Sequence, residues 1–139
     1  MESKKALTKV YVCSPNCIDW RNNGEAEPDF DSTFKLAYIT GSKLIEFGYL
    51  PLVPQVYFNA LVSISNSLGQ VDYEMLSHEW LTQSDEVWVF GGILTDEMLR
   101  DVEIANMNNI PVRYMMYTES NEFLEIPICN ISKWKVVGE

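Results

Sequence analysis

Two glycines and four polar side chains stand close together in the stretch VWVFGGILTDEMLRDVEIANMNNIPVRY, residues 87–114. Thr95 suits a helix N-cap, and Asp96 and Glu97 in the first turn complement the helix dipole. Asp101 is different. It follows Met98 by three residues and precedes Ala105 by four, so it shares the edge of an apolar stripe and can point into a cleft at the strand ends. Glu97 lies one turn earlier on the same side. Two neighbouring carboxylates repel when ionised, which favours a proton on one of them and lets such a pair work as acid and base. Position alone equally allows a solvated pair of acids flanking the stripe.

Gly91 and Gly92 permit a tight turn and a close backbone approach to a ligand. The free N–H groups of the helix behind them favour polar or negative ligand atoms. Neither G-x-G-x-x-G nor a Walker lysine is present, so the phosphate signal is weak. Cys13 and Cys17 have a C-x-x-x-C spacing, but the only histidine, His78, lies far along the chain in a helical stretch. No four-ligand zinc set is written, and no Ser-His-Asp or Cys-His set can be assembled. Neither a metal nor a cofactor is expected.

These residues must be positioned by a small α/β domain. Residues 10–14 read as a first strand closed by Pro15, and residues 17–31 as a polar insertion loop rich in turn residues. Asp31 or Ser32 caps a helix over 33–47, with Phe34, Tyr38, Gly41 and Ile45 on one face and Gly48 ending it. A short strand at 50–53 is broken by Pro54. Residues 59–68 are ambiguous, and 72–84 form a helix with Tyr73, Leu76 and Trp80 on its stripe. DEVWVF is a buried strand, 95–108 a helix, and IPVRYMMY another strand. The tail, residues 120–139, adds an edge strand or packs back on the sheet. Apolar strands alternating with helices predict parallel β-α-β units: a flavodoxin- or Rossmann-like three-layer sandwich with a mainly parallel sheet of about five strands. Ligands in such folds bind beyond the carboxyl ends of the strands. That rule selects Cys13, Ser14, Pro15 and Asn16, then Gln55, Tyr57 and Phe58, then Gly91 and Gly92, and the end of the strand at 114–117. Tyr11, Tyr57, Phe58 and Tyr114 offer flat surfaces for a ring. Asp85 braces a helix-to-strand turn.

A length of 139 residues suits one domain, 1–139, with a real core. A net charge of −10 argues against nucleic acid, which needs a basic stripe. No apolar run is long enough to span a bilayer, and the start has no signal-peptide pattern, so a cytoplasmic protein that binds no membrane is expected. An odd number of cysteines, Cys13, Cys17 and Cys129, fits reduced thiols.

The blocks VYVCSP, FGYLPLVPQVYF, EMLSHEWLTQSDEVWVFGG and TDEMLRDVEIANMNNIPVRY occur in that order. Together they resemble the nucleoside 2-deoxyribosyltransferase-like superfamily, most of all its short bacterial and phage members. The resemblance covers roughly four fifths of the chain, outside the 17–31 loop and the tail. It implies a flavodoxin-like sheet, assembly as homodimers or larger homo-oligomers, and a pocket for a nucleoside. In the enzymes a glutamate attacks the anomeric carbon and the sugar passes to another base or to water, as in a retaining glycosidase. Their motif is roughly D-x-G-T-x-x-E. Against it Thr95 stands at the aspartate, Glu97 at the glycine, Met98 at the threonine and Asp101 at the nucleophile, while Asp85 stands at an aspartate that contacts the base.

The departures matter. Asp101 is one methylene shorter than glutamate, withdrawing the carboxylate by about 1.5 Å, a misplacement able to cost roughly a hundredfold. Glu97 adds bulk and charge in place of glycine. Short relatives carry proline-histidine where this chain has Pro54 and Gln55, and glutamine cannot shuttle a proton near neutral pH. Degenerate catalytic positions in a retained pocket imply a binder of a nucleoside- or nucleotide-derived small molecule. Sequestration of a signalling nucleotide by a phage anti-defence protein, acting in the bacterium or infected cell, is one such role. An N-glycosidase or deoxyribosyltransferase using Asp101 is the alternative. A protein-interaction module anchored by tryptophans such as Trp20 is the third, and Trp20 could also serve as a lid.

Overall fold

The computed structural model describes residues 6–14, 30–57, 70–90, 93–117, 122–127 and 135–137. Strands β1 (Lys9–Cys13), β2 (Leu50–Leu52), β3 (Glu86–Phe90), β5 (Val112–Tyr117) and β6 (Phe123–Ile126) form one sheet in the order β2-β1-β3-β5-β6. Every neighbouring pair is parallel except β5 with β6, which is antiparallel. Helices α1 (Phe30–Glu46), α2 (Gln70–Thr82) and α3 (Asp96–Met107) make the crossovers. The result is the expected flavodoxin-like sandwich. Strand order reverses beside β1, which puts the switch point at the carboxyl ends of β1 and β3.

The two faces of the sheet follow from strand alternation. On one face Tyr11 and Cys13 of β1 join Val87 and Val89 of β3, covered by Leu81 of α2 and by Met98 and Ala105 of α3. On the other, Val10, Val12, Trp88 and Phe90 pack against Leu44 of α1. Both faces are buried, which is why VYVC and VWVF read as continuous apolar runs. Trp88 and Phe90 extend into an aromatic cluster with Phe123, at 5.9 and 5.4 Å between ring centroids.

Several local expectations need correction. Helix α1 begins at Phe30, so Asp31 and Ser32 lie in its first turn, past the N-cap position. Its buried face is Ala37, Thr40, Gly41 and Leu44, while Tyr38 and Ile45 are exposed. The helix is turned by about one residue because small side chains let it lie close to the sheet: a Cβ on Gly41 would stand 3.1 Å from Val53 Cγ2. Helix α2 is turned too. It buries Ser77 and Leu81 and leaves Leu76 exposed, with Trp80 between. The helix ends are conventional. Gly48, at φ +88°, closes α1 with Tyr49 N–H on Leu44 O, and Asn109, at φ +57°, closes α3 with Ile110 N–H on Ala105 O.

An additional short strand, β4 (Ile93–Thr95), precedes α3 and pairs in parallel with β7 (Lys135–Val137) outside the main sheet. Part of the tail therefore forms the edge strand β6 and another part meets the start of α3. The expectations for residues 17–29, for Trp20 and for 59–68 fall outside the described residues. Among the described residues no helix is long and apolar enough to cross a membrane.

Candidate functional site

Strand alternation and helix periodicity together build the site. Tyr11 and Cys13 share one face of β1, and Met98, Asp101 and Ala105 share the buried stripe of α3. Packing α3 on that face brings Asp101 over β1. Tyr11 Oη donates to Asp101 Oδ2 at 3.2 Å. Cys13 Sγ lies 3.7 Å from the same oxygen and 3.9 Å from the carbonyl of Met98. Thr95 orients the helix from its start, accepting the Met98 N–H at 3.2 Å. Its role is the N-cap expected, and it is buried.

The third side chain around Asp101 is His78. Helix α2 packs beside α3, and His78 Nε2 stands 3.3 Å from Asp101 Oδ1. No donor among the described residues meets Oδ1 in hydrogen-bond alignment. At this distance the contact is a close ion pair when the imidazole is protonated. The Asp101 carboxylate beside it is the largest influence holding the imidazole above its ordinary pKa. Burial opposes it, and the charges of Asp101, Glu74 and Glu97 reinforce it. The expectation that His78 stands alone is thus corrected. The missed signal was the i, i+3, i+4, i+7 face formed by Glu74, Ser77, His78 and Leu81, which the more apolar Tyr73-Leu76-Trp80 stripe outweighed.

Asp101 opens onto a narrow cleft at the carboxyl end of β1. Cys13, Ser14, Gln55, Glu97 and Met98 line it with Asp101, all of them expected at the site, together with Tyr11, Val12 and Pro54. Gln55 Nε2 donates to the Ser14 carbonyl at 2.6 Å, which pins the helical turn 54–57 to the end of β1. Ser14 Oγ is buried on this cleft without a partner among the described residues. The space between the walls admits about one water.

Other expected residues are elsewhere. Asp85 Oδ2 accepts the Lys9 N–H at 2.8 Å, at the amino ends of β1 and β3 and so at the opposite end of the sheet from Asp101. Its role here is to brace the turn. Tyr57 faces a separate open hollow of about 330 Å³, beside Trp80 at 5.1 Å between ring centroids. That hollow is walled also by Tyr38, Ile45, Pro51 and Val53, and no acidic or basic side chain of the described residues lines it. Tyr114 is half-buried on β5, and burial, with a smaller effect of Cys13, raises its phenol pKa. Pro15, Asn16, Phe58, Gly91 and Gly92 lie outside the described residues. Among the described residues no group of three or more His, Cys, Asp or Glu is arranged to hold a metal ion.

Fold and cleft together define a flavodoxin-like α/β protein with a buried acid at its switch point. The chain belongs to the family described as a domain of unknown function, DUF7768, whose model matches residues 8–115. That span includes every cleft residue named above. No curated protein matches the chain.

Proposed function

We propose that the protein binds a nucleoside- or nucleotide-derived small molecule, with a polar group of the ligand inserted between Ser14 and Asp101. One observation carries this reading: Ser14, whose hydroxyl has no partner among the described residues, and a buried carboxylate line the same cleft at the switch point of the sheet. The cleft accepts a single small group such as a sugar hydroxyl, so the rest of the ligand lies over its mouth. Two side chains already surround Asp101 Oδ2. A carboxylate engaged by donors is a weaker nucleophile, and shortening from glutamate to aspartate draws it back further. Retention of an intact ligand fits this geometry better than turnover, and sequestration of a nucleotide signal is the biological role consistent with it.

The second reading is an N-glycosidase or deoxyribosyltransferase, favoured by Asp101 lining the cleft with a tyrosine hydroxyl at its side. Its carboxylate would bond to the anomeric carbon as the C–N bond breaks. The base would leave with that electron pair and take up a proton, and water or a second base would then free the sugar.

One incubation separates the two readings. The protein is mixed with a pool of nucleosides, nucleotides and linear and cyclic ADP-ribose derivatives, desalted and denatured, and both fractions are read by mass spectrometry. An intact compound leaving with the protein near one per chain, and at least tenfold less with Asp101→Ala, supports binding. Free base accumulating beyond the protein concentration supports the enzyme. Free base in place of a retained compound, or the absence of both signals, refutes the proposal.

A further inference from the structure

Asp101 is only 6% exposed, and its two oxygens are held differently. Oδ2 is held from β1 by Tyr11 and Cys13. Oδ1 meets His78 alone among the described residues, and that contact comes from the opposite side, from α2. No lysine or arginine of the described residues forms an ion pair with Asp101. A buried carboxylate without a counter-charge is costly, and among the described residues the cation that can pair with Asp101 is His78 when protonated. His78 itself does not line the cleft. Its side chain is 29% exposed, which gives it access to solvent protons that Asp101 lacks.

We propose that His78 is the positioning residue of the cleft. As an imidazolium on Oδ1, it holds the Asp101 carboxylate turned so that Oδ2 stays on Tyr11 and Cys13, and loss of its proton lets that carboxylate turn. The groups facing His78 are Glu74 on its own helix and Asp101 and Glu97 on α3. Arg100, the neighbouring cation, is paired with Glu74 at 3.6 Å. The acidic surroundings outweigh burial, so the latch is closed at acidic pH and opens as pH rises through a value above that of an ordinary histidine. The proposal concerns the ligand-free chain and does not depend on what the cleft binds. Its failure would leave the binding reading untouched.

Because His78 is the only histidine, its imidazole signals need no assignment. The experiment is an NMR pH titration of the full ligand-free chain, following the His78 ring and the Tyr11 ring, the latter assigned with Tyr11→Phe. The expected result is a His78 midpoint above the ordinary histidine value, with the Tyr11 signals moving at the same midpoint. In Asp101→Asn the His78 midpoint falls. In His78→Gln, which keeps an amide donor but never charges, the Tyr11 signals lose this titration. Tyr11 signals that ignore the His78 midpoint in the unaltered chain would overturn the proposal, as would a His78 midpoint unchanged in Asp101→Asn. The first of these comparisons needs no variant that might fail to fold, apart from the assignment.

Discussion

Replacing Tyr11 by phenylalanine removes one hydroxyl and keeps the ring in the core. Tyr11 is 2% exposed, so its hydroxyl has little access to bulk water. Hydrogen bonds to charged groups contribute about 1.5–3 kcal/mol. The Tyr11–Asp101 bond is 3.2 Å, long against an O–H···O mode of about 2.7–2.8 Å, which places it at the lower end, at about 1–2 kcal/mol. The Cys13 thiol, still 3.7 Å from Oδ2, is too weak a donor to compensate. With a urea slope of about 1–3 kcal/mol/M, the midpoint should fall by roughly 0.3–2 M. The decisive measurement is a double-mutant cycle of Tyr11→Phe with Asp101→Ala, which leaves no acceptor at position 101, by urea unfolding at neutral pH. A coupling of about 1–2 kcal/mol is expected, because both changes act on one contact. If the two effects add within about 0.5 kcal/mol, Tyr11 does not hold Asp101 in solution and the geometry of the cleft is wrong.

Three further outcomes are expected. Thr95→Ala removes the acceptor for the Met98 N–H and should lower stability by about 1 kcal/mol, or about 3–5 °C by calorimetry, while Thr95→Ser should keep most of it. Arg113 lies 4.8 Å over the Trp88 ring and pairs with Glu86 and Glu125 at 3.4 and 2.7 Å. Arg113→Met should cost about 0.5–1.5 kcal/mol, and the difference should shrink in about 1 M salt if charge is the source. For His78 the folded pKa is raised, so its contribution to stability is full below the unfolded value of about 6.5 and is lost as pH rises through the folded value. The stability advantage of the unaltered chain over His78→Gln should therefore be larger near about pH 6 than near about pH 8.5. A difference independent of pH would show that the ion pair does not form.

Much of α3 could be read from its own residues. Thr95 as cap, Asp96 and Glu97 in the first turn, and Met98, Asp101 and Ala105 as a stripe are all local consequences of a 3.6-residue period. The facing of Tyr11 with Cys13, and of Val87 with Val89, follows equally from the period of two in a strand. Periodicity was less decisive for α1 and α2, where two apolar stripes lie side by side. Which stripe turns inward depends on how closely the helix backbone can approach the sheet. At α1 the face with Ala37, Thr40 and Gly41 turns inward, so close that a Cβ on Gly41 would stand 3.1 Å from Val53 Cγ2.

From the sequence alone it follows that this is an α/β chain with a parallel sheet buried on both faces, and that Asp101 borders the apolar stripe of its helix, with its burial left open. Those features rest on neighbours within one or two turns or strand residues. Tertiary structure alone decided what Asp101 meets. Tyr11 is 90 residues away along the chain and contributes from another strand, and His78 reaches it only because α2 rotates Ser77 and Leu81 inward. It also decided that Asp85 stands at the far end of the sheet, since strand direction and register set which end a residue occupies. The pairing of β4 with β7 belongs to the same class: three-residue strands are too short to carry a period, and only a partner about 40 residues on makes them strands.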